Sequence, residues 1–366
     1  MQIGIDARLW GEPRSGIGRY TRSLVETLVE LAPDERWVLY LDRPARGLPA
    51  GAEARCLPWP QRLLWTLWAA PRDLGRRPVD LFHGVTGFEL PRVRGTRLVT
   101  TVHDLIPLRF PRLVPWRHRW AVRALLGSAL RRAARVIAVS DATRADLVAR
   151  YRTTADKIHV VPEAAATHFA PPSAAETARV RAQYGLEAAY VLFVGLLEPK
   201  KNLPALLRAV ARLRAGGAWG RAQLVLAGAP GWGTTGLDAE AGRLGLDGVV
   251  RFLGAVPEGD LPALYAGARV FVFPSLWEGF GLPVLEAMAA GAPVVASCRG
   301  ALPEVAGAAA LLVEPAPEPL AEALERVLTD PALRDRLRHA GLERARAFSW
   351  ERTAAQTLAV YRAAVG

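Results

Sequence analysis

Apolar residues along the chain fall into two patterns that keep alternating. Short continuous runs suit buried strands, and longer stretches with apolar residues three or four apart suit helices with one buried face. Gln2 to Asp6 is the first run, followed by the loop ARLWGEPRSGIGRY and a helical period through Leu24, Val25, Leu28 and Leu31. Further strands are predicted at Trp37 to Leu41, Asp80 to His83, Leu98 to Val102, Val136 to Val139 and in KIHVV from Lys157. Periodicity lapses around Pro171 and Pro172, which marks a linker. The alternation then restarts, with strands predicted at Tyr190 to Val194, Gln223 to Ala227, Val249 to Leu253, Phe271 to Phe273, and in VVAS and LLVEP. Alternation of this kind predicts an α/β fold with parallel sheets. At 366 residues the chain exceeds one ordinary core, so two domains are expected, 1–168 and 169–348. FSWERTAAQTLAVYRAA reads as a terminal helix with Ser349 as its cap, Ser140 or Asp141 is placed to cap another, and Asn202 a third.

Charge divides the chain unevenly. Residues 1–170 carry 27 Lys/Arg and 16 Asp/Glu, whereas the remainder carries 20 and 19. The basic first half points to an anionic partner, such as a phosphorylated acceptor or an acidic membrane surface. Two tryptophan- and arginine-rich segments, LPWPQRLLWTLWAAPRDLGRR and RLVPWRHRWAVR, suit such a surface, and equally suit packing on their own domain. No recognised nucleic-acid motif accompanies the charge, so nucleic acid is not expected as a partner. No window is apolar enough to span a membrane. Met1 leads directly into strand-like QIGID without a secretory pattern, so a cytoplasmic location is expected, and the basic half adds the expectation of a peripheral contact at the inner membrane face. Cys56 and Cys298 show no metal-ligand spacing and read as ordinary buried thiols.

The stretch Phe271 to Met288, FVFPSLWEGFGLPVLEAM, concentrates the chemistry. A strand stops at Pro274, Gly279 and Gly281 permit close backbone approach, and a helix is predicted from Leu282. Its start favours an anion, while Glu278 and Glu286 can each take sugar hydroxyls as charge-assisted hydrogen bonds. Only Lys157, Lys200 and Lys201 are lysines, and the adjacent pair in GLLEPKKNL suits a diphosphate at the carboxyl edge of a strand. Gly16 and Gly18 open the first helix, but Thr21 stands where the dinucleotide fingerprint needs a third glycine, which disfavours NAD. His103 and Asp104 follow an apolar strand in TTVHDLIPL, where an imidazole can donate to a hydroxyl and the carboxylate can orient a loop or bind an acceptor. Gly228, Gly231 and Gly233 make a second glycine loop, read equally as a turn or a nucleotide contact. Paired carboxylates also serve glycoside hydrolysis, but the lysine pair supplies positive potential that a glycosidase does not need.

With these motifs assembled, the chain resembles the retaining GT-B glycosyltransferases of glycosyltransferase family 4, particularly bacterial mannosyltransferase-like members. The resemblance rests on the E-x7-E element in PSLWEGFGLPVLEAMAAGAPVVAS, on GLLEPKKNL, on TTVHDLIPL and on the closing FSWERTA helix. It implies two Rossmann-like domains facing a cleft, with helix 349–366 crossing back to complete the first. It implies a nucleotide-sugar donor, with mannose from GDP-mannose as first choice, and a glycan or lipid-linked acceptor. Glu278 would contact donor-sugar hydroxyls, Glu286 the ribose, and the backbone of Gly279, Phe280, Gly281 and Leu282 the sugar and phosphate. Lys200 and Lys201 would neutralise the diphosphate, Gly16 would offer backbone N–H groups, and His103 would lie beside the transferred sugar. The implied chemistry is front-face displacement with retention, and no cofactor or metal is expected. Glu163 and the alanines of VVPEAAATHF stand where many relatives read asparagine, glycine and valine. Rival readings are another GT-B enzyme such as a nucleotide-sugar epimerase, or a non-catalytic binding protein.

Overall fold

The computed structural model describes residues 1–12, 15–59, 61–151, 155–233 and 236–366. Pro13 and Arg14 of the first loop and Pro60 of the tryptophan-rich segment lie outside them. The chain forms two compact units, Met1–Glu163 with Ser349–Gly366, and Ala164–Phe348. The division falls a few residues before the proline-marked linker, because Ala165, Ala166 and Phe169 already pack on the second core.

The first unit is built on a parallel sheet of seven strands: β1 (Gln2–Asp6), β2 (Arg36–Leu41), β3 (Ala52–Cys56), β4 (Leu81–Gly84), β5 (Arg97–Val102), β6 (Arg135–Ala138) and β7 (Ile158–Val160). Their order is β3-β2-β1-β4-β5-β6-β7, so the chain winds one way from β1 and the other way from β4. β2 and β5 are buried on both faces, as parallel strands covered by helices must be, which is why they read as apolar runs. β3 has no such run. As the edge strand, it buries only Arg55 fully, its guanidinium donating to Glu53 and the Tyr40 hydroxyl. Cys56 on this edge is exposed, and Cys298 is half-buried with its thiol donating to Glu314, so neither is the buried thiol that the sequence suggested.

Ser15, Ser140 and Ser349 cap their helices by accepting amides of Gly18, Thr143 and Arg352. Helix Trp350–Val365 belongs to the first unit, where Tyr361 is fully buried and the Thr353 hydroxyl donates to the Pro162 carbonyl at 2.7 Å.

The second unit repeats the plan with six parallel strands: β8 (Tyr190–Val194), β9 (Gln223–Ala227), β10 (Val250–Gly254), β11 (Val270–Phe273), β12 (Val294–Ser297) and β13 (Leu311–Val313). The order β10-β9-β8-β11-β12-β13 puts the reversal of winding between β8 and β11. In such sheets the loops leaving the two central strands diverge and leave a crevice beyond their carboxyl ends. Among the described residues, no helix is long and apolar enough to cross a membrane.

Candidate functional site

The crevice of the second unit receives the loop after β8, residues 195–202, and the loop after β11, residues 274–281. Lys201 reaches across from the first loop to the second, its Nζ donating to Glu278 Oε1 at 2.6 Å and lying 4.6 Å from the centroid of the Phe273 ring. Lys200 Nζ lies 4.0 Å from Glu278 Oε2 and 3.3 Å from Glu198 Oε1. Lys201 and Glu278 are both buried, where a lone charge is costly and a paired one tolerable. Burial by itself would raise Glu278, but Lys201 and Lys200 outweigh it and hold the carboxyl below the usual carboxylate range. A carboxylate has about four acceptor sites, so Glu278 retains capacity for hydroxyl donors beside its lysine.

Tight backbone approach fixes these loops. Gly300 sits at φ +63°, and a Cβ there would stand 2.3 Å from the Glu278 carbonyl, which accepts the Ala301 amide at 3.0 Å. A Cβ on Gly228 would stand 1.8 Å from the Gly195 carbonyl, and one on Gly231 2.2 Å from that of Leu197. Those two glycines of GAPGWG therefore serve loop-on-loop packing. Asn202 also differs from expectation. It adopts the left-handed conformation and caps nothing with its side chain, which instead donates to the carbonyls of Pro315 at 2.7 Å and Pro274 at 3.3 Å. It thereby ties the lysine loop to the end of β11.

Helix Leu282–Ala289 begins at Gly281, φ +104°, with no side-chain cap. A Cβ at Gly281 would stand 2.5 Å from the Cδ2 end of the Leu302 side chain, which can shift, so it is the left-handed backbone that calls for glycine here. Gly279, Phe280 and Leu282 are buried around it, and the Phe280 ring packs edge-on against Phe348. Glu286, 1% exposed, lies within the helix and accepts the Tyr265 hydroxyl at 3.0 Å. Tyr265 escaped the sequence reading because it lies in an unremarkable helix, and only a search for a partner to a buried Glu286 would have found it.

In the first unit the reversal lies between β1 and β4. Gly16 opens helix Gly16–Leu31 after β1, and among the described residues nothing lies within 4 Å of an added Cβ. His103 follows β5 and is held from both sides: Nε2 lies 2.9 Å from the Val85 carbonyl and Nδ1 2.9 Å from Glu163 Oε1. Asp104 accepts the Ile106 amide at 3.0 Å, which orients the next turn. His103 and Asp104 line a cavity of about 110 Å³ together with Thr86, Phe88 and His118. Beneath it Thr101 joins Tyr20 and His83 through contacts of 2.9 and 2.8 Å, and His83 reaches the Tyr361 hydroxyl at 2.6 Å. Burial first, then the neighbouring His103, push the His83 imidazole down to about 3. Among the described residues, no group of three or more His, Cys, Asp or Glu is placed to hold a metal ion.

Residues 176–344 match the family model described as Glycosyl transferases group 1, and residues 14–169 the one described as Glycosyltransferase Family 4. The chain is 34% identical over 377 residues to O-antigen chain mannosyltransferase B of Escherichia coli, covering 96% of each chain. It is 36% identical over 328 residues to the MMP alpha-(1->4)-mannosyltransferase of Mycolicibacterium hassiacum, covering 84% of this chain and 76% of that one. Among solved structures, sucrose-phosphate synthase from Thermosynechococcus elongatus aligns with a TM-score of 0.79 over 99% of this chain and 98% of its own, at 24% identity. That likeness concerns the fold.

Proposed function

The chain belongs to the glycosyltransferases of group 1 and family 4, and from that premise we propose that it is a retaining hexosyltransferase using GDP-mannose. The acceptor in this reading is a glycan or lipid-linked saccharide, and no metal ion takes part. The observation that carries the reading is the Lys201–Glu278 contact of 2.6 Å at the reversal of the second sheet, with Lys200 beside it. Cations and a hydroxyl-binding carboxylate meet there, as a sugar joined to a diphosphate requires. Mannose is favoured by the two mannosyltransferase relatives.

In this mechanism the bond from sugar C1 to the diphosphate breaks while the acceptor oxygen bonds to C1 from the same face. The departing phosphate oxygen takes the acceptor's proton. Lys200 and Lys201 offset the charge left on the diphosphate, which is the work a metal ion would otherwise do. Glu278 and Glu286 hold hydroxyls of the sugar and ribose, with the Gly279 to Leu282 backbone on sugar and phosphate and Gly16 contributing N–H groups. His103 contacts the transferred sugar. A transfer assay with GDP-mannose, UDP-glucose, ADP-glucose and dTDP-sugars tests this, with the product anomer read by NMR. The expected outcome is an α-linked mannoside formed equally with and without EDTA. An inverted product, or activity lost to EDTA and restored by a divalent ion, would contradict it.

The same reading gives the first unit a peripheral contact with anionic lipid. Helix Trp116–Arg132 exposes Trp116 (63%) and Trp120 (55%) one turn apart, with Arg117 and Arg123 over their rings. Right-handed crossovers put this helix on the same sheet face as residues 62–76, where Trp68 is 66% exposed. Trp116→Ser with Trp120→Ser is expected to reduce sedimentation with anionic vesicles while changing stability by less than about 0.5 kcal/mol. Unchanged sedimentation would remove the membrane from the account.

A further inference from the structure

Glu163 ends the first of the two segments that make up the first unit and is 4% exposed, where a carboxylate is tolerated only with partners. Its partner is His103, Oε1 to Nδ1 at 2.9 Å. On the far side of the ring, Nε2 stands 2.9 Å from the Val85 carbonyl. A carbonyl only accepts, so Nε2 carries a hydrogen and donates it. The contact of Nδ1 with a carboxyl oxygen also requires a hydrogen between them, whichever partner supplies it. Both nitrogens are thus engaged. The ring plane is fixed as well: Tyr20 meets it at 87° with centroids 4.8 Å apart, and the Tyr20 hydroxyl is tied to Thr101. The Thr143 hydroxyl donates to the His103 carbonyl at 3.1 Å, holding the backbone.

An imidazole held in this way has both nitrogens occupied, and neither is free for an acceptor hydroxyl. What it offers the adjoining cavity is a fixed ring edge whose direction Glu163 sets. We propose that Glu163 is a positioning residue for His103, fixing the ring edge that faces the cavity. This rests on the hexosyltransferase reading, in which His103 meets the transferred sugar.

The test compares the full-length wild type with Glu163→Ala, Glu163→Gln, His103→Ala and the double Ala variant. Each is assayed for transfer, and those retaining His103 for its ring-nitrogen NMR resonances. Glu163→Ala should lower kcat by about 10- to 100-fold, the scale of a misoriented contact, with donor KM changed less than about twofold. Glu163→Gln, whose amide can either donate to or accept from Nδ1, should recover most of the rate. The double variant should be no slower than His103→Ala, because Glu163 acts only through the ring. The ring-nitrogen resonances should move in Glu163→Ala, a readout that needs no substrate. Unmoved resonances, an undiminished kcat in Glu163→Ala, or losses that multiply in the double variant would overturn the proposal. Absence of hexose transfer by the wild type would instead defeat the functional reading, and the resonances would still decide whether Glu163 holds the ring.

Discussion

Beyond β8 and β11, the second unit packs two lysines and a buried glutamate into contact, and glycines lock the loops that carry them. At the corresponding place in the first unit, beyond β1, β4 and β5, stand a serine-capped helix start and a histidine held by a carbonyl and a carboxylate. Below them runs a buried network of His83, Thr101, Tyr20 and Tyr361 hydroxyls and imidazole. Two sheets of one plan therefore meet two different demands. The second holds fixed opposite charges, whose cost of burial is offset only while both partners remain. The first holds a network satisfied with a neutral His83, which is a condition on pH rather than on a partner.

The largest effect expected from this contrast is at the ion pair. Lys201→Ala leaves Glu278 buried without its closest cation and should cost about 3–5 kcal/mol in urea unfolding. Lys201→Met combined with Glu278→Gln should restore most of that stability while transfer stays lost. A single variant as stable as wild type would show that Lys200, 4.0 Å away, suffices.

Glycine substitutions sharpen the comparison next. Gly300→Ala combines a left-handed φ with a backbone collision and should cost about 2–3 kcal/mol, with loss of donor binding. Gly16→Ala in the first unit meets nothing within 4 Å among the described residues and should change stability by less than about 0.5 kcal/mol. Equal losses at both sites would erase the distinction between a locked loop and an open one.

The pH response of the first unit is expected to be somewhat smaller. Below its ordinary value of 6.5, His83 takes up a proton in the unfolded chain but not in the folded one until about 3. Stability therefore falls as pH falls through that window, by about 2 kcal/mol between pH 6.5 and 5. His83→Gln should flatten this slope in denaturant titrations at several pH values. An unchanged slope would assign the pH dependence to other groups.

How legible each unit was in the sequence follows the same physics. β8 and β9 are buried on both faces, so their continuous apolar runs announced them residue for residue. β3, half out of the core, had no run to announce it. Scarcity of lysine drew attention to Lys200 and Lys201, and the turn around Gly279 and Gly281 to Glu278, so residues that meet in space were legible one by one. Partners distant in sequence were not. Nothing in a linear pattern says that Tyr265 bonds Glu286, that Asn202 ties two prolyl carbonyls, or that Glu163 turns back onto His103. Each is a polar side chain whose role is set by what the fold brings to it.

In the proposed reaction the Lys201–Glu278 crevice binds the nucleotide sugar. Thermal and denaturant unfolding of wild type and of the Lys201→Met/Glu278→Gln variant, with and without GDP-mannose, tests it most directly. At 100 times its Kd, the donor should stabilise wild type by about 2.7 kcal/mol and leave the variant nearly unshifted. Equal stabilisation of both proteins would place the donor elsewhere and contradict the claim.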